Sequence, residues 1–264
     1  PAHLRHPAWA GFILRWANLH RRGLAAVLGV VGPDIAYALT AVPARWLYRL
    51  LPAVRLRSEA QCRAALAGRL APSDVPRLAE RAFIHRMWDL VDLMLADRLL
   101  HRGTFRRYGG VVPPDRLRDL LDAQRRGRPT ILLTSYYGPF DLLPVFLGFQ
   151  GVRATAVYLA HGNPEFEAYR RRIRARGGWE FVPLGRAAGR TAAVLGMGGT
   201  IALVADHYAD RRGLPTTFLG LPNRAQRSVG LLACHYRADV IVAGLRRCDR
   251  PFRFEIVVAD LRRV

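Results

Sequence analysis

Between residues 129 and 258 short apolar runs alternate with amphipathic stretches, and this alternation constrains the fold more than any other feature of the chain. Ile131 to Thr134, Ala154 to Leu159, Glu180 to Pro183, Thr200 to Ala205, Val240 to Gly244 and Phe252 to Val258 read as strands. Pro164 to Arg176, Ala187 to Leu195 and Arg224 to Tyr236 read as helices. Antiparallel neighbours can be joined by tight turns, whereas parallel ones need a crossover of about a dozen residues, usually a helix. The pattern therefore predicts βαβ units: an α/β fold with a mixed, largely parallel central sheet flanked by helices.

The first hundred residues read as a helical extension. Leu24 to Val31 is an apolar run that stops at Gly32-Pro33-Asp34, and a second run from Ile35 through Leu51 carries Trp46 and Tyr48 beside Arg45 and Arg49. Neither reaches the roughly 20 uninterrupted apolar residues of a spanning helix. Two readings stand: a helical hairpin at a membrane interface with aromatic and arginine anchors, or two core helices. Further on, Ser73 is placed to cap a long helix with Pro76 in its first turn. Phe83, Met87, Leu90 and Met94 form its apolar stripe, and Gly103 marks its exit. The expected division is a membrane-associated helical region over 1–104 and an α/β core over 105–264, with any boundary near 105–128.

Charge narrows the partners. The chain has 41 basic residues, all arginine, against 20 acids, a net charge of +21. With 51% hydrophobic residues it is no disordered polyelectrolyte. Such an excess suits nucleic acid, an anionic membrane, or a phosphorylated or carrier-bound substrate. Cys62, Cys234 and Cys248 show no paired spacing, which argues against a disulfide framework or a zinc site and for a reducing, cytosol-facing environment.

Ligands of open α/β sheets gather beyond the C-terminal ends of the strands. Two such places hold polar and aromatic residues: Ser135 to Asp141 after one strand, and Asp206 to Asp210 after another. The first, Tyr136-Tyr137-Gly138-Pro139-Phe140-Asp141, resembles the His-x-Gly-Asn-Trp-Glu motif of the lipid A biosynthesis lauroyl/myristoyl acyltransferase family, within the glycerolipid acyltransferase superfamily. Gly138 and the acid Asp141 are kept, but Tyr136 stands where that family has histidine. Asn163-Pro164 with Arg174 to Gly178, Val204-Ala205-Asp206-His207, Gly213 with Thr217 to Gly220, Arg224 to Ala233, and Ala238 to Ile241 resemble further family segments, and Ser58 to Leu99 resembles its pre-core helices. The likeness covers about residues 10–264. The family's final helix would follow Val264, and the chain is expected to be cut at both ends.

The resemblance implies an O-acyltransferase that moves a fatty acyl chain from an acyl carrier protein or coenzyme A thioester to a glycolipid or lysophospholipid hydroxyl. It implies no other cofactor, and a place on the cytoplasmic face of a bacterial inner membrane. It also implies catalytic roles at Asp141, Tyr136 and His207, and substrate contacts at Gly138, Asn163, Arg174, Arg190 and Asp206. In that chemistry a histidine of near-neutral pKa takes the acceptor's proton and the acid orients it. Tyr136 is a poor base: with an ordinary pKa near 10, only about one phenol in a thousand is ionised at pH 7, and forcing ionisation costs roughly 4 kcal/mol.

Several alternatives stay open. A nearby arginine would lower that cost. His207 is either a relocated base or a substrate or structural residue. Tyr136 positions the acceptor, or the fold is catalytically silent and only binds lipid or a partner. Asp206 is expected to hold an arginine such as Arg174, and Arg186 and Arg190 to meet lipid phosphates or carrier carboxylates, or else these residues make solvated or structural salt bridges. The basic run Tyr169 to Arg176 lacks any nucleic-acid-binding signature and reads as a face toward anionic phospholipid or acidic carrier protein. Nucleic acid is not an expected partner.

Overall fold

The computed structural model describes residues 23, 25–160, 163–206, 209 and 213–262, the last four of these by backbone alone. His207 lies outside them. A seven-stranded sheet has the order β1-β9-β8-β2-β5-β3-β4. Its strands are β1 (Gly109–Val112), β2 (Thr130–Thr134), β3 (Thr155–Tyr158), β4 (Glu180–Pro183), β5 (Thr200–Val204), β8 (Asp239–Arg247) and β9 (Phe254–Arg262). From β8 to β4 all neighbours are parallel, while β9 runs antiparallel to β8 and carries β1 along its outer edge. The predicted mixed, largely parallel sheet is the observed one. Helices α7 (Leu143–Phe149), α8 (Pro164–Ala175), α9 (Ala187–Gly196) and α10 (Ser228–Tyr236) connect the parallel strands.

Three readings need correcting. Arg224 does not begin a helix: it lies in β7 (Leu221–Ala225), which pairs with β6 (Leu214–Phe218) as a separate antiparallel hairpin. Helix α10 starts only at Ser228. Ser73 is not a cap, because it sits in a 3-10 turn over Pro72–Asp74, and the long helix α4 (Val75–Leu99) starts after Asp74 with Pro76 in its first turn. Phe252 precedes its strand, being buried in a turn at φ 52°.

Before the sheet come α1 (25–31), α2 (Pro33–Leu50), α3 (Pro52–Ala65) and α4, then a short α5 (Phe105–Tyr108), with α6 (Asp115–Arg125) between β1 and β2. No helix among the described residues is long and apolar enough to cross a membrane. Leu28, Tyr37, Val91 and Leu95 from these helices share one buried cluster with Phe146, Ile241 and Phe254 of the α/β core. A fully buried side chain of this size contributes about 1.5–3 kcal/mol, so the helices are held to the sheet by apolar packing. Of the expected α4 stripe, Met94 is buried but Leu90 is exposed; the buried face runs instead through Ala79, Ile84, Val91 and Leu95.

That buried face also carries an acid. Asp92 is fully buried and accepts bonds from the Tyr37 hydroxyl and from Arg247 at the end of β8 (Nε to Oδ2, 3.1 Å). Arg247 also reaches Asp89 (Nη2 to Oδ1, 2.8 Å) and lies 3.1 Å from His85 Nδ1. One guanidinium thus ties α2, α4 and β8 together. On the opposite face of α2, Ile35, Leu39, Val42, Trp46 and Leu50 recur at helical spacing and are all exposed.

Glycines set one further spacing. A Cβ on Gly148 of α7 would lie 2.0 Å from the Gly177 carbonyl oxygen, and one on Gly177 would lie 2.2 Å from that of Pro144. Backbone therefore meets backbone where α8 ends against α7, and this contact aims the side chains of α8 at the loop that precedes α7.

Candidate functional site

The loops after β2 and β5 meet. The backbone N–H of Tyr136, beyond β2, donates to Asp206 Oδ2, beyond β5, at 2.8 Å. Asp206 was expected to hold Arg174 and instead fastens the motif loop. Gly138 turns that loop at φ 57°, where a Cβ would lie 2.4 Å from the Leu245 carbonyl oxygen on β8. A side chain is excluded by both backbone conformation and space, so the glycine shapes the loop.

A 3-10 turn over Phe140–Leu142 then presents Asp141 to α8. Arg170 and Arg174 lie one helical turn apart on the same face of α8. Arg170 binds Asp141 in a fork, with Nε to Oδ2 and Nη2 to Oδ1 both at 3.0 Å. Arg174 adds Nε to Oδ1 at 2.5 Å and a second contact through Nη2. Glu167, one turn earlier, lies 3.8 Å from Arg170 and 3.7 Å from Arg174. All four side chains are largely buried, and their charges sum to zero: two arginines against two carboxylates. Arg170 and Glu167 went unassigned in the sequence, although Glu167, Arg170 and Arg174 at 3-4 spacing on one helix were a usable signal.

Two further arginines of the basic run are engaged elsewhere. Arg172 pairs with Asp97 (2.6 Å), and Arg176 donates to the carbonyls of Ala96 (3.0 Å) and Asp97 (2.8 Å) at the end of α4. Four of the run's five arginines thus clamp α8 to α4 and to Asp141, and Arg171 stays exposed. Asn163 caps α8: its side-chain oxygen accepts from the N–H groups of Glu165 (3.1 Å) and Phe166 (3.2 Å). Arg190 pairs with Glu180 at the start of β4, so it sits at the N-terminal edge of the sheet, away from the motif loop.

Under the loop lies a cavity of about 220 Å³. Leu132, Ala156 and Ala202 form its floor on the sheet, while Trp179, Phe181 and Leu184 wall one side. Its polar lining includes Thr134, Tyr136, Arg170 and Arg174. An apolar slot with guanidinium and phenol groups among its lining matches a long alkyl chain with a polar head.

Tyr136 is half exposed and its ring meets Phe140 edge-on at 4.6 Å. Burial pushes its phenol above the ordinary value, and although Arg170 and Arg174 pull it down, they do not reverse the shift. The arginine rescue of a phenolate therefore fails: at neutral pH Tyr136 is a neutral phenol that can donate a hydrogen bond but not take a proton. His85 offers no base through its δ nitrogen, which faces Arg247; burial and Arg247 both hold its pKa down.

A family model described as bacterial lipid A biosynthesis acyltransferase matches residues 115–260, more than half of the chain. The chain belongs to that family. None of the curated proteins matches it. The matched stretch takes in the motif loop, α8, both loops that meet through Asp206, five strands of the sheet whole and most of β9, so the family likeness and the cavity coincide in space. The likeness inferred from Tyr136 to Asp141 thus holds at the level of the family.

Proposed function

We propose that this member of the family transfers a fatty acyl chain from an acyl carrier protein or coenzyme A thioester to a hydroxyl of a glycolipid or lysophospholipid, at the cytoplasmic face of a bacterial inner membrane. The observation that carries the reading is the apolar cavity whose lining includes Tyr136, Arg170 and Arg174 beside the motif loop. The acyl chain occupies the slot and its carbonyl carbon stays at the motif loop. The acceptor oxygen bonds to that carbon, the carbon–sulfur bond breaks, the acceptor's proton passes to a base, and the thiol leaves. Tyr136, as a donor, orients the acceptor or steadies the oxyanion. The base falls to His207, the residue after Asp206. The exposed apolar stripe of α2, with Arg45 and Arg49 beside it, supports approach to an anionic bilayer.

A second reading, a silent fold that only binds lipid or a partner, is favoured by two observations: Tyr136 is a neutral phenol, and among the described residues the motif acid is engaged by arginines. Acyl transfer from carrier-bound and coenzyme A donors separates the two. In the parent we expect transfer that His207→Ala abolishes, by about two to four orders of magnitude. A silent parent that gains activity with Tyr136→His establishes the second reading. If no variant transfers an acyl group while lipid still binds, the enzymatic reading fails.

A further inference from the structure

The hairpin β6–β7 leaves the sheet between Asp206 and Gln226, so its base stands at the cavity, which Gln226, Ser228 and Val229 help to line. Its base is pinned: the Ala209 N–H donates to the Arg224 carbonyl (3.0 Å), and Arg224 Nη1 donates to the Gly213 carbonyl (3.1 Å). Its outer part is apolar and exposed, with Phe218 at 63%, and Leu219 and Leu221 at 42%.

The turn carries a second, independent signal. Phe218 pairs with Leu221, leaving Leu219 and Gly220 as the two turn residues, at φ 52° and 83°. A two-residue hairpin turn with positive φ at both positions is of type I′, which favours Asn-Gly. A leucine there is disfavoured by its backbone conformation and, exposed at the tip, by water as well. An apolar medium around the tip removes the second cost, and the first is borne so that an apolar side chain stands there.

We propose that the tip of this hairpin, Phe218, Leu219 and Leu221, inserts into an anionic phospholipid bilayer and sets the cavity mouth against the lipid surface. The inference rests on the lipid-acceptor reading above and adds the element that docks. From residue 213 to 227 the chain has two arginines, Arg224 and Arg227, and no acid, which complements anionic headgroups. Five residues of strand span about 16 Å. With the tip buried roughly 5–10 Å, the depth of interfacial apolar groups, the arginines at the base lie at headgroup level. An acidic carrier protein would meet the arginines but gives the Phe-Leu-Leu tip no reason to be apolar.

Sedimentation with phosphatidylglycerol/phosphatidylethanolamine vesicles tests this on the parent, on the double variant Phe218→Ser/Leu221→Ser, on Leu219→Asn, and on Trp46→Ser/Leu50→Ser in α2. The hairpin double variant is expected to lose roughly tenfold or more in partitioning. Leu219→Asn should bind vesicles less well yet melt higher than the parent, a combination that misfolding cannot produce. Parental partitioning by both hairpin variants, with loss only in the α2 variant, overturns the inference and leaves the membrane reading standing. A parent that ignores the vesicles overturns both. Hairpin variants that lose an acidic acyl carrier protein but keep the vesicles also overturn it, in favour of a protein partner.

Discussion

Arg247→Met is expected to cost about 3–5 kcal/mol of folding stability, because it leaves the carboxylate of Asp92 buried without its counter-charge. Domains of this kind hold about 5–15 kcal/mol in all, so the variant will melt far below the parent or fail to fold at ordinary temperature. Burial opposes the charge on Arg247, but Asp92 outweighs it and keeps the guanidinium firmly protonated. Burial also raises the Asp92 carboxyl, from 3.8 to about 6, against the pull of Arg247. The folded chain therefore holds that proton more tightly than the unfolded chain. The stabilisation it confers is fully present below about pH 4 and is lost as pH climbs to about 6, a change of about 3 kcal/mol. Without Arg247 the carboxyl rises further and the loss continues above pH 6. Thermal melts of both proteins at pH 5 and pH 8 should show a wider gap at pH 8. Equal gaps would mean that Asp92 carries no charge in the parent.

Arg174→Met is expected to cost about 3 kcal/mol and to abolish whatever the site does. The change removes the more buried of the two guanidiniums on Asp141 and strips Glu167 of a neighbour, so the loop that bears Tyr136 loses one of its anchors and keeps only Arg170 and Asp206. Arg172→Met, two residues along the same helix, is the internal comparison. Arg172 is 62% exposed and its pair with Asp97 is a surface pair, worth under about 1 kcal/mol. Urea unfolding of the two variants should separate them clearly. Comparable losses would show that α8 is held by its outer clamp rather than by the site.

The contrast between these arginines marks where one-dimensional reading stops. The central strands were legible because Ile131 to Leu133 and Ile201 to Leu203 are apolar runs between turn residues, and burial on both faces leaves that mark. The hairpin β6–β7 was not: Leu-Pro-Thr-Thr-Phe and Leu-Pro-Asn-Arg-Ala are exposed, and each carries a proline of the kind that only edge strands tolerate. Strand β1 hides in Gly109-Gly110 beside two prolines and is held only by β9.

At the site, Tyr136 to Asp141 announced itself through a recognisable spacing, and the i,i+4 relation of Arg170 and Arg174 was written in the helix period. The partner of Asp206 was not, because it is a backbone N–H supplied 70 positions away. Nor was that of Asp92, which answers to an arginine 155 residues on. Arg190 misled for the opposite reason: its partner Glu180 lies nearby in sequence, but at the wrong end of a strand.

The neutral quartet of Asp141, Glu167, Arg170 and Arg174 has a consequence for ionic strength. Dissolved salt screens exposed charges over about 8 Å at physiological concentration and reaches buried pairs far less. A chain of net charge +21 should thus be drawn to an anionic surface strongly in dilute buffer and weakly in concentrated buffer, while the proposed alkyl guest of the cavity, beside charges that already cancel, is expected to bind equally well in both. Potassium chloride separates arrival from occupancy in this protein. A titration that weakened both together would mean that the guest is gripped by its charge and not by its chain.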